Sequence, residues 1–143
     1  MQIEKILLPT DGSVHSINAT NYALNLAKQY GAHVTIVCCY EDWPYKIPEI
    51  SEVRSKEIKE NLVKEAENIL KKAEGIFAKQ GVEYKLEIIA GPPGYKLANL
   101  AKSKKYDLIV MGSHGHSDIA GLYLGSVTHK VLNTIYCPVL VVP

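Results

Sequence analysis

Met111 to Val127 reads MGSHGHSDIAGLYLGSV, and its flanks decide the fold. Before it stands Leu108-Ile109-Val110, an apolar run with the character of a buried strand. After Gly125-Ser126 a helical pattern begins. Gly112, Gly115 and Gly125 stand out, the last followed by Ser126. Glycine permits positive φ and has no Cβ to keep a ligand away. A helix opening across Gly125 to Thr128 presents unpaired N–H groups and the positive end of its dipole, a setting that suits an anion. A phosphate site at the end of a strand competes here with a plain connecting loop. The stretch lacks the Gly-Lys-Ser/Thr ending of a P-loop and the G-x-G-x-x-G of a dinucleotide fold. Ser113 lacks the G-x-S-x-G spacing of a hydrolase elbow.

Outward from this stretch, strand and helix patterns alternate. Ile3 to Leu8 reads as a short strand stopped by Pro9, and Thr10-Asp11-Gly12-Ser13 as a turn with capping side chains. Ile17, Leu24 and Ala27, with Thr20, Ala23 and Tyr30, mark a helical face that ends at Gly31. Val34 to Cys39 is an apolar run expected to be buried on both faces. Tyr40 to Ile50, with Trp43, Pro44, Tyr45 and Pro48, reads as an excursion loop that packs on itself or covers a ligand or partner. From Ser51 a long charged helix carries the stripe Ile58, Leu62, Ala66, Ile69, Ala73, Ile76 and Phe77.

Val82, Tyr84, Leu86 and Ile88 alternate with charged residues, the pattern of a strand with one wetter face at a sheet edge. Gly91-Pro92-Pro93-Gly94 leads into a short helix with Leu97, Ala98, Leu100 and Ala101. Tyr106 to Met111 is the fourth strand, Ser126 to about Tyr136 the fourth helix, and Pro138 to Val142 the fifth strand. The pattern predicts one α/β domain over residues 1–143: a doubly wound parallel five-stranded sheet with helices on both faces. Ligands bind such sheets beyond the carboxyl ends of the strands, where the winding reverses. Pro9-Thr10-Asp11 and the glycine stretch share one site most easily if the first and fourth strands are neighbours. That favours strand order 3-2-1-4-5, with the alternating third strand at an edge.

Composition narrows the class. A chain of 143 residues with 47% hydrophobic and 22% charged residues has globular character. A net charge of +1 and no basic run give no reason to expect nucleic acid. No apolar run approaches the roughly 18 residues of a membrane span. Three cysteines, Cys38 and Cys39 adjacent, cannot build a disulfide framework and fit a reducing, cytoplasmic setting.

The chain resembles the universal stress protein family over essentially its whole length. The resemblance is carried by Ile6 to Ser13, Asp107 to Gly115, Leu124 to Val127 and Cys137 to Val142. Gly112, Gly115, Gly125 and Ser126 match without a gap the G-x2-G-x9-G-[S/T] pattern of that family's nucleotide-binding branch. The resemblance implies an ATP-binding (or ADP- or AMP-binding) stress-response module and the sheet order argued above. It places Asp11 near the ribose and any Mg²⁺, Pro9 and Thr10 against the nucleotide, and the Cys39 backbone at the adenine. Met111 would line the base pocket. Gly112, Ser113, Gly115, Gly125, Ser126 and Val127 would hold ribose and phosphates. His116 stands where many relatives carry Lys or Arg, so less positive charge would meet the phosphates.

Other groupings compete. Asp11 also suits a helix cap, unless Ser13 takes that place. His114, His116 and Asp118 stand at alternate positions, a spacing open to a metal, but lack a fourth ligand. Ser126 and His129 lie three apart on one helix without an orienting acid. Val139 to Val142 forms an apolar edge expected to pair with its copy in a homodimer. Two functions follow: a nucleotide-dependent binding or signalling module, or a Mg²⁺-dependent ATPase or nucleotidyl transferase worked by Asp11.

Overall fold

The computed structural model describes residues 2–41, 52–116, 118, 123–134 and 136–143. Trp43, Pro44, Tyr45 and Pro48 of the expected excursion loop lie outside the described residues, as does Ile135 near the expected end of the fourth helix. Among the described residues nine elements alternate: β1 (Lys5–Pro9), α1 (Val14–Tyr30), β2 (His33–Tyr40), α2 (Glu52–Phe77), β3 (Tyr84–Ala90), α3 (Pro93–Lys102), β4 (Leu108–Gly112), α4 (Ser126–Leu132) and β5 (Val139–Val142). The strands form one parallel sheet in the order β3-β2-β1-β4-β5, as the sequence pattern implies.

Alternate residues of each strand feed two cores. Ile6, Leu8, Val34, Ile36, Cys38 and Val110 face α1 and α2, which contribute Ala19, Ala23, Ala66, Leu70 and Phe77. Leu7, Val37, Ile109 and Met111 face α3 and α4, with Leu97, Ala101 and Val131. Burial on both faces explains why the inner strands are continuous apolar runs. β3 lies at the edge, where only one neighbour pairs with it, and its alternation follows from that.

The buried stripe of α1 is narrower than its periodicity suggests. Ser16, Ala19, Thr20, Ala23, Leu24 and Ala27 are covered, whereas Ile17 is 37% and Tyr30 51% exposed. Small residues let α1 lie close on the sheet. Thr20 is buried without penalty because its hydroxyl donates to the Ser16 carbonyl at 2.7 Å. Ser13 caps the helix, and Gly31, at φ +67°, ends it with its N–H on the Ala27 carbonyl. On α2 the core contact begins at Ala66, and Ile58 is 39% exposed. At 1.5 Å per residue the 26 residues of α2 outrun the strands they cover.

α4 ends at Leu132, earlier than expected near Tyr136. The Thr134 hydroxyl donates to the Lys130 and Val131 carbonyls at 3.2 and 3.3 Å, drawing the chain into a turn.

Winding to the two sides of β1 reverses between β1 and β4. The crevice beyond their carboxyl ends is the position where such sheets hold ligands.

Candidate functional site

The loop after β1 is built from its own side chains. The Thr10 N–H donates to the Val37 carbonyl at 2.9 Å, carrying the ladder one residue past Pro9. The Thr10 hydroxyl lies 3.1 Å from Ser16 Oγ and accepts from the Gly12 N–H at 3.3 Å. Gly12 turns the chain at φ +80°. Asp11 then leaves the cap to Ser13, whose hydroxyl accepts from the Ser16 N–H. Its own Oδ1 accepts from the Ser13 N–H at 2.9 Å, and its Oδ2 from the His116 N–H at 3.0 Å. Asp11 therefore ties the first loop to the glycine stretch. Burial pushes its carboxyl up, but the hydrogen bonds from Ser13, His116 and Ser16 outweigh that and hold it below the usual carboxylate range.

The glycine stretch leaves β4 at Gly112, where strand and helix α1 nearly touch. A Cβ on Gly112 would lie 2.8 Å from the His15 carbonyl carbon and 2.9 Å from the Ser16 nitrogen. A Cβ on Gly115 would lie 2.6 Å from Asp11 Oδ2. These glycines serve the close approach of protein to protein before any ligand enters. The Thr128 hydroxyl holds the Gly112 carbonyl at 2.8 Å, and the Gly125 N–H donates to the Ser113 carbonyl at 2.7 Å, so the stretch returns to α4 on itself.

Asp118 lies inside this loop. Its Oδ2 accepts from the Gly115 N–H at 2.5 Å, and its Oδ1 accepts from the Ser126 N–H at 3.1 Å and the Ser126 hydroxyl at 3.2 Å. Gly125 has no room for a Cβ because the Asp118 carboxylate fills that space. Burial raises the Asp118 carboxyl, and the bonds from Gly115 and Ser126, with the nearby His114, bring it below its ordinary value.

These elements enclose a cleft of about 220 Å³. Nine of the expected residues line it: Pro9, Thr10, Asp11, Cys39, Met111, Gly112, Gly115, His116 and Val127. Ser113, Gly125 and Ser126 do not. The Ser113 hydroxyl turns toward His114 Nδ1 at 2.9 Å and His15 Nδ1 at 3.5 Å. Asp118 fills the space beside Gly125, and Ser126, itself exposed, turns its N–H and hydroxyl to the same carboxylate.

Sequence patterning missed Val37, Pro93 and Leu97, which complete the apolar wall, and Ser16 on the polar side; His114 and Asp118, weighed there only as metal ligands, and Thr128, weighed only as part of the helix opening, line the cleft as well. Pro93 and Leu97 stand four apart at the start of α3, and their face became informative only once α3 was seated beside Met111. Cys38 and Cys39 part company, as adjacent strand residues must. Cys38 is buried against the helices α1 and α2, and Cys39 faces the cleft. Burial pushes the Cys38 thiol up to about 12 and the Cys39 thiol up to about 11, the latter despite the charge of Lys96.

Among the described residues no group of three or more His, Cys, Asp or Glu side chains is placed to share a metal ion. Among them, too, no helix is long and apolar enough to cross a membrane.

Comparison with known proteins places this geometry in context. A family model described as "Universal stress protein family" matches residues 2–143. Universal stress protein MJ0531 of Methanocaldococcus jannaschii is 36% identical over 97% of this chain and 81% of its own length. Universal stress protein UspA from Lactobacillus plantarum superposes with a TM-score of 0.87 at 26% identity, covering 100% of this chain and 99% of that one. A universal stress protein solved in complex with cAMP superposes with a TM-score of 0.73 at 28% identity, over 100% of this chain and 99% of that one.

Proposed function

The chain belongs to the universal stress protein family, and on that footing we propose that it is a binding module for an adenine nucleotide: ATP, ADP or AMP. The convergence of Pro9 to Asp11, Cys39, Met111 to Gly115 and Val127 on one cleft at the winding reversal carries this reading. Met111, Val37 and Leu97 offer the apolar wall that a flat base requires, and the carboxyl end of β2 at Cys39, past the end of β1, would offer backbone groups to its polar rim. The family member solved with cAMP supports the same class of ligand.

Mg²⁺ would arrive on the phosphates and take Asp11 as its protein ligand. Each Asp11 oxygen accepts one N–H, and a carboxylate oxygen has capacity for more. A single carboxylate suits Mg²⁺, which keeps most of its waters.

A holder of nucleotide fits the lining better than an efficient phosphoryl-transfer enzyme does. No lysine or arginine is among the described residues lining the cleft, and phosphoryl transfer relies on such charges to stabilise its transition state. Calorimetry with AMP and ATP, paired with a turnover assay in Mg²⁺, tests the assignment. Binding without turnover is expected. Turnover lost in Asp11→Ala with binding retained would establish the enzyme instead.

The module works as a two-fold dimer through β5. This strand ends the sheet, its residues Val139 to Val141 are half-buried, and Asn18 fastens the chain end by donating to the Pro143 carbonyl at 2.9 Å.

A further inference from the structure

Asp118 occupies donors that the family resemblance gives to the phosphates. The Gly115 N–H, the Ser126 N–H and the Ser126 hydroxyl all point to one carboxylate, and that carboxylate belongs to the protein. It also takes the space beside Gly125 that the missing Cβ leaves open. Two anions cannot share three donors: the second would meet the first at contact distance. Among the described residues that line the cleft, no lysine or arginine offsets that repulsion.

We propose that Asp118 sets the charge class of ligand that this site accepts. Adenosine and adenine nucleotides of low charge enter the cleft with the Asp118 carboxylate in place, whereas a triphosphate must first expel it from Gly115 and Ser126. The proposal rests on the cleft being an adenine-nucleotide site. It adds that the affinity gained from each further phosphate is spent on displacing the internal anion.

Displacement exchanges the carboxylate's bonds to Gly115 and Ser126 for the phosphate's, so the triphosphate gains about tenfold less over the nucleoside than a vacant donor set would give it.

Dissociation constants of adenosine, AMP and ATP measured on the wild-type protein and on Asp118→Asn and Asp118→Ala test this. The ATP-to-adenosine affinity ratio is expected to rise about tenfold or more in both variants. An unchanged ratio, with all three ligands binding, overturns the proposal and leaves the nucleotide site standing. If none of the three binds any of the proteins, the nucleotide site itself falls, and the proposal with it.

Should the variants fail to fold, the wild-type protein supplies the answer by NMR. Saturating ATP must move the Asp118 carboxyl carbon and the Gly115 and Ser126 amides, and saturating adenosine must leave them in place. ATP that binds without moving them overturns the proposal.

Discussion

Gly112 lies so close to His15 that a Cβ added to it would stand 2.8 Å from the His15 carbonyl carbon. Strand β4 therefore reaches the first turn of α1 with backbone almost against backbone, and this approach brings the loop after β4 beside the loop after β1. The side chain absent from Gly112 is one the fold excludes before any ligand does. Gly112→Ala is expected to force the two elements apart at a cost of about 1–3 kcal/mol, read as a lower urea midpoint with little change in slope. Wild-type stability in this variant would contradict the close approach.

Asp11 gives the cleft an acid-sensitive tie. Its folded-state pKa lies below the unfolded value of about 3.9, so its stabilising contribution is complete above that pH. The contribution is lost as acidification protonates the carboxylate in the folded state. Asp11→Asn should thus be less stable than wild type near neutrality and should lose less on acidification below about pH 4. Thermal unfolding of both proteins across pH 2–7 checks the sign. Parallel curves would contradict the assignment.

The cysteines predict a chemical footprint. With its thiol pushed up to about 11, Cys39 holds little thiolate at pH 8, and Cys38, pushed up to about 12, holds less. Both should alkylate far more slowly than a free thiol. An adenine nucleotide in the cleft should slow Cys39 further, because Cys39 lines the cleft, while Cys38 lies on the other face of the sheet. Peptide mass spectrometry after timed alkylation distinguishes the two. Protection of neither would place the ligand elsewhere.

The proposed dimer can be broken at one donor. Pro138 and Val142 turn their carbonyls to β4, so the intervening alternation aims the backbone of Val139 and Val141 at the open side. Val141→Pro removes an outward N–H while leaving the β4 ladder its partners. Sedimentation equilibrium is expected to show a dimer in wild type and a monomer in the variant. A wild-type monomer at micromolar concentration would contradict the pairing.

The sheet order was legible because two polar clusters, Pro9-Thr10-Asp11 and the glycine stretch, needed neighbouring strands, and because the alternation at Tyr84 to Ile88 suited an edge. Most of the cleft was legible for the same reason: its residues follow strands whose ends the topology must bring together. Ile17, Tyr30 and Ile58 defeated the periodicity because it reports which side of a helix is apolar, not how far the sheet extends beneath it. Asp118 escaped as well. Its spacing from His114 and His116 suggested metal, but two of its three partners are backbone N–H groups, which leave no mark in a sequence, and the third is the Ser126 hydroxyl. Ser113 turned away from the cleft to His114 and His15, a choice between rotamers that spacing does not encode.

Mass spectrometry of the small molecules released when the purified protein is denatured tests the nucleotide site most directly. An adenine nucleotide or adenosine in near-stoichiometric amount is predicted. Release of none, together with no binding of adenosine, AMP or ATP at millimolar concentration, would contradict it.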